Sequence, residues 1–307
     1  MSINKNKRRK SMSILKIWYL AIRPKTLPAA AGPVIVGTGL AIGDGVFQFA
    51  PAFAALLGAL LLQIGSNLAN DVYDYKKGTD TKERTGPLRV TQAGLLSPRQ
   101  VIWGMWCVFA SSALIGLYLS YIGGWPILVI GILAIISAII YTAGPYPLGY
   151  NGVADIFVFV FFGPVAVCGT YYVQAEYVSP SAVWASLPAG FLVTAILVVN
   201  NLRDIETDRK AGKKTLAVRW GLKFTQVQYV LLLGVSYLVP IMMYIIGITS
   251  SAIFISWLSL PLIIPLVRDV FTKRGVPLNG TLAGTARLGL IFNVLISASY
   301  IIGKVIS

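Results

Sequence analysis

The chain has no histidine among its 307 residues. That absence removes His-ligated haem and zinc, and every nucleophile that depends on an imidazole base. Cysteine is nearly missing too. Cys107 and Cys168 both lie inside apolar runs, where a lone thiol behaves as a small hydrophobe rather than half of a disulfide. Charge is the third shortage: only 12% of residues are Asp, Glu, Lys or Arg, against about 25% in a soluble globular chain. With 56% apolar residues and a mean hydropathy of +0.74, most of the exterior must face lipid. Any catalysis is left to carboxylates, amides, hydroxyls, cations or a bound metal.

Nine apolar stretches approach the length of a membrane span, at roughly 27–43, 51–70, 101–122, 125–143, 152–173, 182–202, 226–247, 250–267 and 286–304. The fold class expected is therefore all-α and integral to the membrane, with about nine transmembrane helices around a central cavity. The formal charge of +15 follows this pattern: 25 of the 26 Lys and Arg fall before span one or between spans two and three, six and seven, and eight and nine. Connections 1–2, 3–4, 5–6 and 7–8 carry none. Such alternation places the N-terminus in the cytoplasm and the C-terminus outside. It accounts for the basic charge through topology and attraction to the lipid bilayer, without nucleic acid. Residues 1–26 read as a basic cytoplasmic tail with an interfacial helix, and 27–307 as a single polytopic domain.

Two segments resemble each other and hold most of the acids. Span two ends in "QIGSNLANDVYDYKKGTD" and span six in "LVVNNLRDIETDRKAGKK". Of the 11 carboxylates, seven lie here: Asp71, Asp74, Asp80, Glu83, Asp204, Glu206 and Asp208. At 100° per residue, Asn67, Asp71 and Asp74 fall within about 60° on a helix surface, and Asn200, Asp204 and Asp208 within about 80°. Both stripes sit at the same depth on the same side. Carboxylates gathered near lipid are costly unless neutralised. Oxygen-only stripes suit a hard cation such as Mg2+, which joins a few carboxylates to substrate phosphates. The metal ligands expected are Asn67, Asp71, Asp74, Asn200, Asp204 and Asp208. The loops after the stripes add Lys76, Lys77, Lys82, Arg84 and Arg89, then Arg203, Arg209, Lys213 and Lys214, and metal plus basic side chains is how a diphosphate is clamped. Glu206 lies off its stripe and reads as a solvated charge. Asp80 lies beyond Gly78 and could reach the site from the loop.

These motifs, with "RTGPLR", "QAGLLS", "LAIRPKTLPAA" and "YTAGPYPLGYNGVADIFVFVFFG", resemble the UbiA-type intramembrane prenyltransferases. The arginine-containing loop and the span 4–5 segment are most similar to the branch that prenylates 1,4-dihydroxy-2-naphthoate in menaquinone synthesis. The resemblance implies a nine-helix fold, a central cavity and two Mg2+ ions. It places the first Asp-rich motif on Asn67, Asn70, Asp71 and Asp74, and the second on Asn200, Asn201, Asp204 and Asp208. It also implies loss of the acceptor's carboxylate as CO2, giving a demethylmenaquinone. The charge alternation turns the site toward the cytoplasm.

The residues themselves agree with that chemistry. A polyprenyl diphosphate has a tail that belongs in lipid and an anionic head that belongs at a cytoplasmic metal site. Release of the diphosphate leaves an allylic cation for an electron-rich ring, and no nucleophilic side chain is required. For the acceptor, Arg23 and Lys25 stand at the mouth of span one and could meet a carboxylate, or could simply snorkel. Tyr141, Tyr146 and Tyr150 could wall the ring or belong to the interfacial belt. Asp155, an acid just inside span five, is a further candidate. Three alternatives remain open: a different aromatic acceptor such as 4-hydroxybenzoate, a cation-coupled transporter, and a phosphatidyl-transferase, whose acids would form one continuous motif.

Overall fold

The computed structural model describes residues 12–79 and 84–306. Among them every regular element is a helix. In order, the helices are α1 (Ile14–Ile22), α2 (Leu27–Gly43), α3 (Phe49–Lys76), α4 (Pro98–Gly123), α5 (Trp125–Ile140), α6 (Ala154–Ala175), α7 (Pro180–Lys210), α8 (Leu216–Ile245), α9 (Ser251–Thr272) and α10 (Leu278–Ile306). Eight helical stretches are long and apolar enough to cross a bilayer, counting Ile14–Gly43 as one, and α5 is a shorter apolar helix of 16 residues. Each of the nine apolar stretches is occupied by one of α2 to α10. Most of the basic tail, residues 1–11, lies outside the described residues.

Three helices run well beyond their apolar stretches. α3 continues to Lys76, α7 to Lys210, and α10 begins at Leu278, eight residues before its apolar run, whereas the first turn of α8 is set off from the rest by a non-helical backbone at Gly221 (φ 80°). Hydropathy marks the part in hydrocarbon, whereas backbone hydrogen bonding carries a helix into the polar boundary. Two spans depart from α geometry. α6 contains a π-helical turn at Phe161–Val165, where Pro164 supplies no N–H, and α9 is 3-10 over Ser251–Leu262. Gly163 and Gly190 mark where α6 crosses α7. A Cβ on either would come within 2.8 Å of a carbonyl oxygen of the other helix, so only glycine permits the approach.

Short turns join the helices at one end of the bundle, after Gly43, Gly123, Ala175 and Ile245. A polar knot closes that end: Tyr171 and Tyr300 each donate to Asp44 at 2.8 Å, and Lys304 pairs with it at 2.9 Å. The two long connections, between α3 and α4 and between α5 and α6, lie at the other end. The loop from 84 to 97 is no solvated strand of chain, because Val90, Leu95 and Leu96 are buried in one apolar cluster with Ile17, Leu68, Val72 and Met105. A larger cluster from Leu40, Leu192, Tyr229 and Phe292 holds the opposite half together. The long-loop end is thus a packed cap over the bundle, and the acidic helix ends project into it.

Candidate active site

A cavity of about 970 Å³ runs along the bundle, lined by α1 to α7, α10 and the loops of the capped end. Its walls are mostly apolar. Its charged groups collect at the capped end, where Asp74, Asp204 and Asp208 reach it with Asn70, Asn200 and Asn201, beside Arg84, Arg89, Arg203 and Lys213. The two acidic helix ends that the sequence places at one depth do share one chamber.

On α3, the residues expected to form one stripe divide. Asp74 faces the cavity: Arg89 donates to its Oδ2 at 3.0 Å and the Tyr150 hydroxyl to its Oδ1 at 2.5 Å. Asn70, one turn earlier, also lines the cavity and accepts from Thr142 at 3.0 Å. Asp71 does not. It is 2% exposed, and its two oxygens accept from the backbone N–H groups of Val90 and Thr91 at 2.9 and 3.0 Å. Asn67 also turns away, donating to Ile22 O and Thr26 Oγ1, both at 2.9 Å. The expectation of Asn67 and Asp71 as metal ligands is therefore corrected. The helical arc is right, but the cavity meets only its Asn70–Asp74 edge, while the other edge anchors the 84–91 loop and the α1–α2 turn.

On α7, Asn200, Asp204 and Asp208 all line the cavity. Asp204 is held by Arg203, through Nε at 2.8 Å and Nη2 at 2.5 Å, and accepts a hydrogen bond from Thr85. Asp208 pairs with Lys213 at 3.2 Å. Arg203 was expected to clamp diphosphate, and it lines the cavity, but its guanidinium is also shared with Asn200 and Asn279, each at 2.8 Å. Asn279, in the first turn of α10, donates back to Thr85 O at 2.9 Å. Asn279 is a lone polar residue outside the acidic motifs and Thr85 one hydroxyl within the RTGPLR loop, and their meeting depends on a contact 194 positions apart.

The other candidates separate in the same way. Arg23 and Lys25 line the cavity, and Arg23 holds a left-handed backbone (φ 57°), a conformation that an L side chain rarely adopts. Tyr141 lines the cavity at the end of α5. Tyr150 is committed to Asp74, with the Lys77 and Lys213 ammoniums 5.0 and 4.7 Å from its ring centre. Lys77 and Lys214 do not line the cavity, and Lys77 donates to Gly144 O at 3.0 Å. Tyr146 is exposed and also outside the lining, the position of an interfacial anchor. Asp155 turns toward α8, where Gln228 donates to it at 2.6 Å, so it is no part of this chamber. Asp80 lies outside the described residues.

Among the described residues no group of three or more His, Cys, Asp or Glu stands close enough to hold a metal by itself. The cavity-facing donors are nevertheless all oxygens, carboxylates from two helices with amide oxygens between them. That set fits a hard cation that takes its remaining ligands from a phosphate. Paired cations already offset each acid: Arg89 for Asp74, Arg203 for Asp204 and Lys213 for Asp208.

Comparison with known proteins places this geometry. The UbiA prenyltransferase family matches residues 30–276. A 1,4-dihydroxy-2-naphthoate octaprenyltransferase from Haemophilus influenzae is 38% identical over 94% of this chain and 97% of its own length. An Escherichia coli protein of the same description is 37% identical over 92% and 94%. A solved UbiA homolog from Archaeoglobus fulgidus, described as bound to DMAPP and Mg2+, superposes with a TM-score of 0.59 at 17% identity, covering 91% of this chain and 99% of that one.

Proposed function

Since the chain belongs to the UbiA prenyltransferase family and is a multi-pass membrane prenyltransferase, we propose that its reaction joins a polyprenyl group to 1,4-dihydroxy-2-naphthoate. Diphosphate and CO2 leave, and the product is demethylmenaquinone in its hydroquinone form. The relatives described as octaprenyltransferases for that acceptor support this reading. The observation that carries it is the cavity itself: an apolar bore along the bundle with carboxylates and cations from α3 and α7 collected at one end.

The residues divide the work. Asn70, Asp74, Asn200, Asp204 and Asp208 would hold Mg2+, two ions in this reading, and bound Mg2+ supplies charge that makes diphosphate a better leaving group. Arg84, Arg89, Arg203 and Lys213 surround the same head group. Breakage of the C1–O bond sends its electron pair away with the diphosphate and leaves an allylic cation. The ring face of Tyr141, in the cavity wall, borders that cation. The ring carbon of the acceptor then forms the new C–C bond, and loss of CO2 returns an electron pair to the ring. Arg23 offers the guanidinium that meets the acceptor's carboxylate. In this reading the site faces the cytoplasm at the cell membrane, which the alternation of charged loops supports, with residues 27–307 acting as one domain and 1–26 as the basic tail and interfacial helix.

The test is purified protein in lipid nanodiscs with Mg2+, octaprenyl diphosphate and a panel of aromatic acids, with products identified by mass. The expected product is the prenylated, decarboxylated naphthohydroquinone. Prenylation of 4-hydroxybenzoate in its place would keep the transferase and change the acceptor. No pyrophosphate release with any acid would overturn the reading.

A further inference from the structure

The far half of the cavity contains glycines that helix packing does not explain. A helical Gly is about 1 kcal/mol worse than Ala, so one inside a span needs a reason. Most glycines here have one. A Cβ on Gly104 would strike Trp18, one on Gly123 would strike Ile127, and one on Gly163 would strike Ser186 O. Gly116, Gly131 and Gly169 differ: a Cβ on any of them meets no atom within 4 Å, and all three line the cavity.

Their depths coincide. Gly116 lies seven residues before the end of α4 at Gly123, Gly131 six after the start of α5 at Trp125, and Gly169 six before the end of α6 at Ala175. At 1.5 Å per residue, all three sit about 9–10 Å inside the short-turn end of the bundle. Gly58 on α3, nine residues from its start, lines the cavity about 4 Å nearer the acids. Four neighbouring helices thus withdraw their side chains at nearly one level, and the lining continues past it through Leu119, Ser120 and Ile127.

Resting on the polyprenyl-transfer reading, we propose that Gly116, Gly131 and Gly169 form a ring that keeps the bore open to long isoprenoid chains and so determines prenyl-length specificity. Asp74 lies 16 residues along α3 from Gly58, an axial distance of about 24 Å. An isoprene unit adds four chain carbons, about 5 Å when extended, given C–C bonds near 1.5 Å. The ring lies about 4 Å beyond Gly58, so about 28 Å, or five to six units, separate it from the acids. A geranylgeranyl chain, with four units, ends short of it. An octaprenyl chain that follows the bore passes through it. A leucine at any of the three positions places a branched side chain in the bore where the chain would run.

The experiment compares octaprenyl and geranylgeranyl diphosphate as donors, each with Mg2+ and 1,4-dihydroxy-2-naphthoate, on the full chain and on Gly116→Leu, Gly131→Leu, Gly169→Leu and the Gly116→Leu/Gly131→Leu pair. Leucine is the better helix former, which favours insertion of the variants. The expected result is a fall of about tenfold or more in kcat/KM for octaprenyl diphosphate with that for geranylgeranyl diphosphate within about twofold. Alanine variants at the same positions should give a smaller loss of the same selectivity. Equal loss with both donors across the alanine and leucine series, or no change with either, would overturn the ring. Wild-type protein inactive with both donors would remove the transferase reading itself, a result distinct from either.

Discussion

Asp71 and Asp74 lie three residues apart on α3 and serve different partners. Asp71 accepts two backbone N–H groups of the covering loop, at Val90 and Thr91, whereas Asp74 faces the cavity between Arg89 and Tyr150. The loop residue Arg89 joins the two: Asp71 fixes the backbone just beyond it, and Asp74 receives its guanidinium. The first acid is thereby a positioning residue for the second.

That division gives a prediction. Asp71→Asn keeps one acceptor and sets an amide N–H against a backbone N–H, at a cost of about 2 kcal/mol to the loop's attachment. Limited proteolysis within residues 84–97 should accelerate, and KM for the prenyl diphosphate should rise. The Mg2+ concentration for half-activation should remain that of wild type. A large shift in Mg2+ dependence would make Asp71 a ligand after all.

For the acceptor, Arg23→Gln should raise KM for 1,4-dihydroxy-2-naphthoate about tenfold or more and leave KM for the diphosphate nearly unchanged, because only one substrate loses a charged contact. Initial-rate measurements with each substrate varied in turn decide it. Equal effects on both substrates would return Arg23 to the membrane boundary.

Glu206→Gln should be silent in the same assay. The Glu206 side chain is 73% exposed and meets Arg209 on the surface at 3.0 Å, a pairing worth little in water. Loss of turnover would mean that the acidic surface of α7 works on both faces.

Topology has its own readout. A reporter fused after Lys214 should be cytoplasmic, and one inserted at Asp44 or Glu176 external, as the alternation of charged loops requires. If Lys214 and Glu176 reported the same side, the helix count between them would be wrong.

The sequence makes the spans legible because each needs a long apolar run, and it makes Asp74, Asp204 and Asp208 legible because acids at a membrane boundary are rare and costly. It misdirects at Asn67 and Asp71 for a specific reason. Helical spacing groups residues on an arc but does not say which edge of the arc meets a cavity. That edge was decided by Val90, Thr91, Ile22 and Thr26, which arrive from other parts of the chain. Asp155 shows the same limit: an acid inside a span is a fair site candidate until Gln228 of α8 proves to be its partner. Asn279 carries no local signal at all, and only the return of α10 to the cap brings it to Arg203 and Thr85.

In the proposed reaction, carboxylates from two separate helices act together on one diphosphate. Mg2+-dependent pyrophosphate release from octaprenyl diphosphate, measured on Asp74→Asn and on Asp208→Asn, tests it most directly. Asn preserves shape and removes charge, and Lys213, the partner left by Asp208, is 17% exposed and within reach of water. Each variant should remain monodisperse in detergent and lose roughly 100-fold or more in rate, about 3 kcal/mol of transition-state stabilisation. Either variant turning over near the wild-type rate, with unchanged Mg2+ dependence, would contradict the two-helix site.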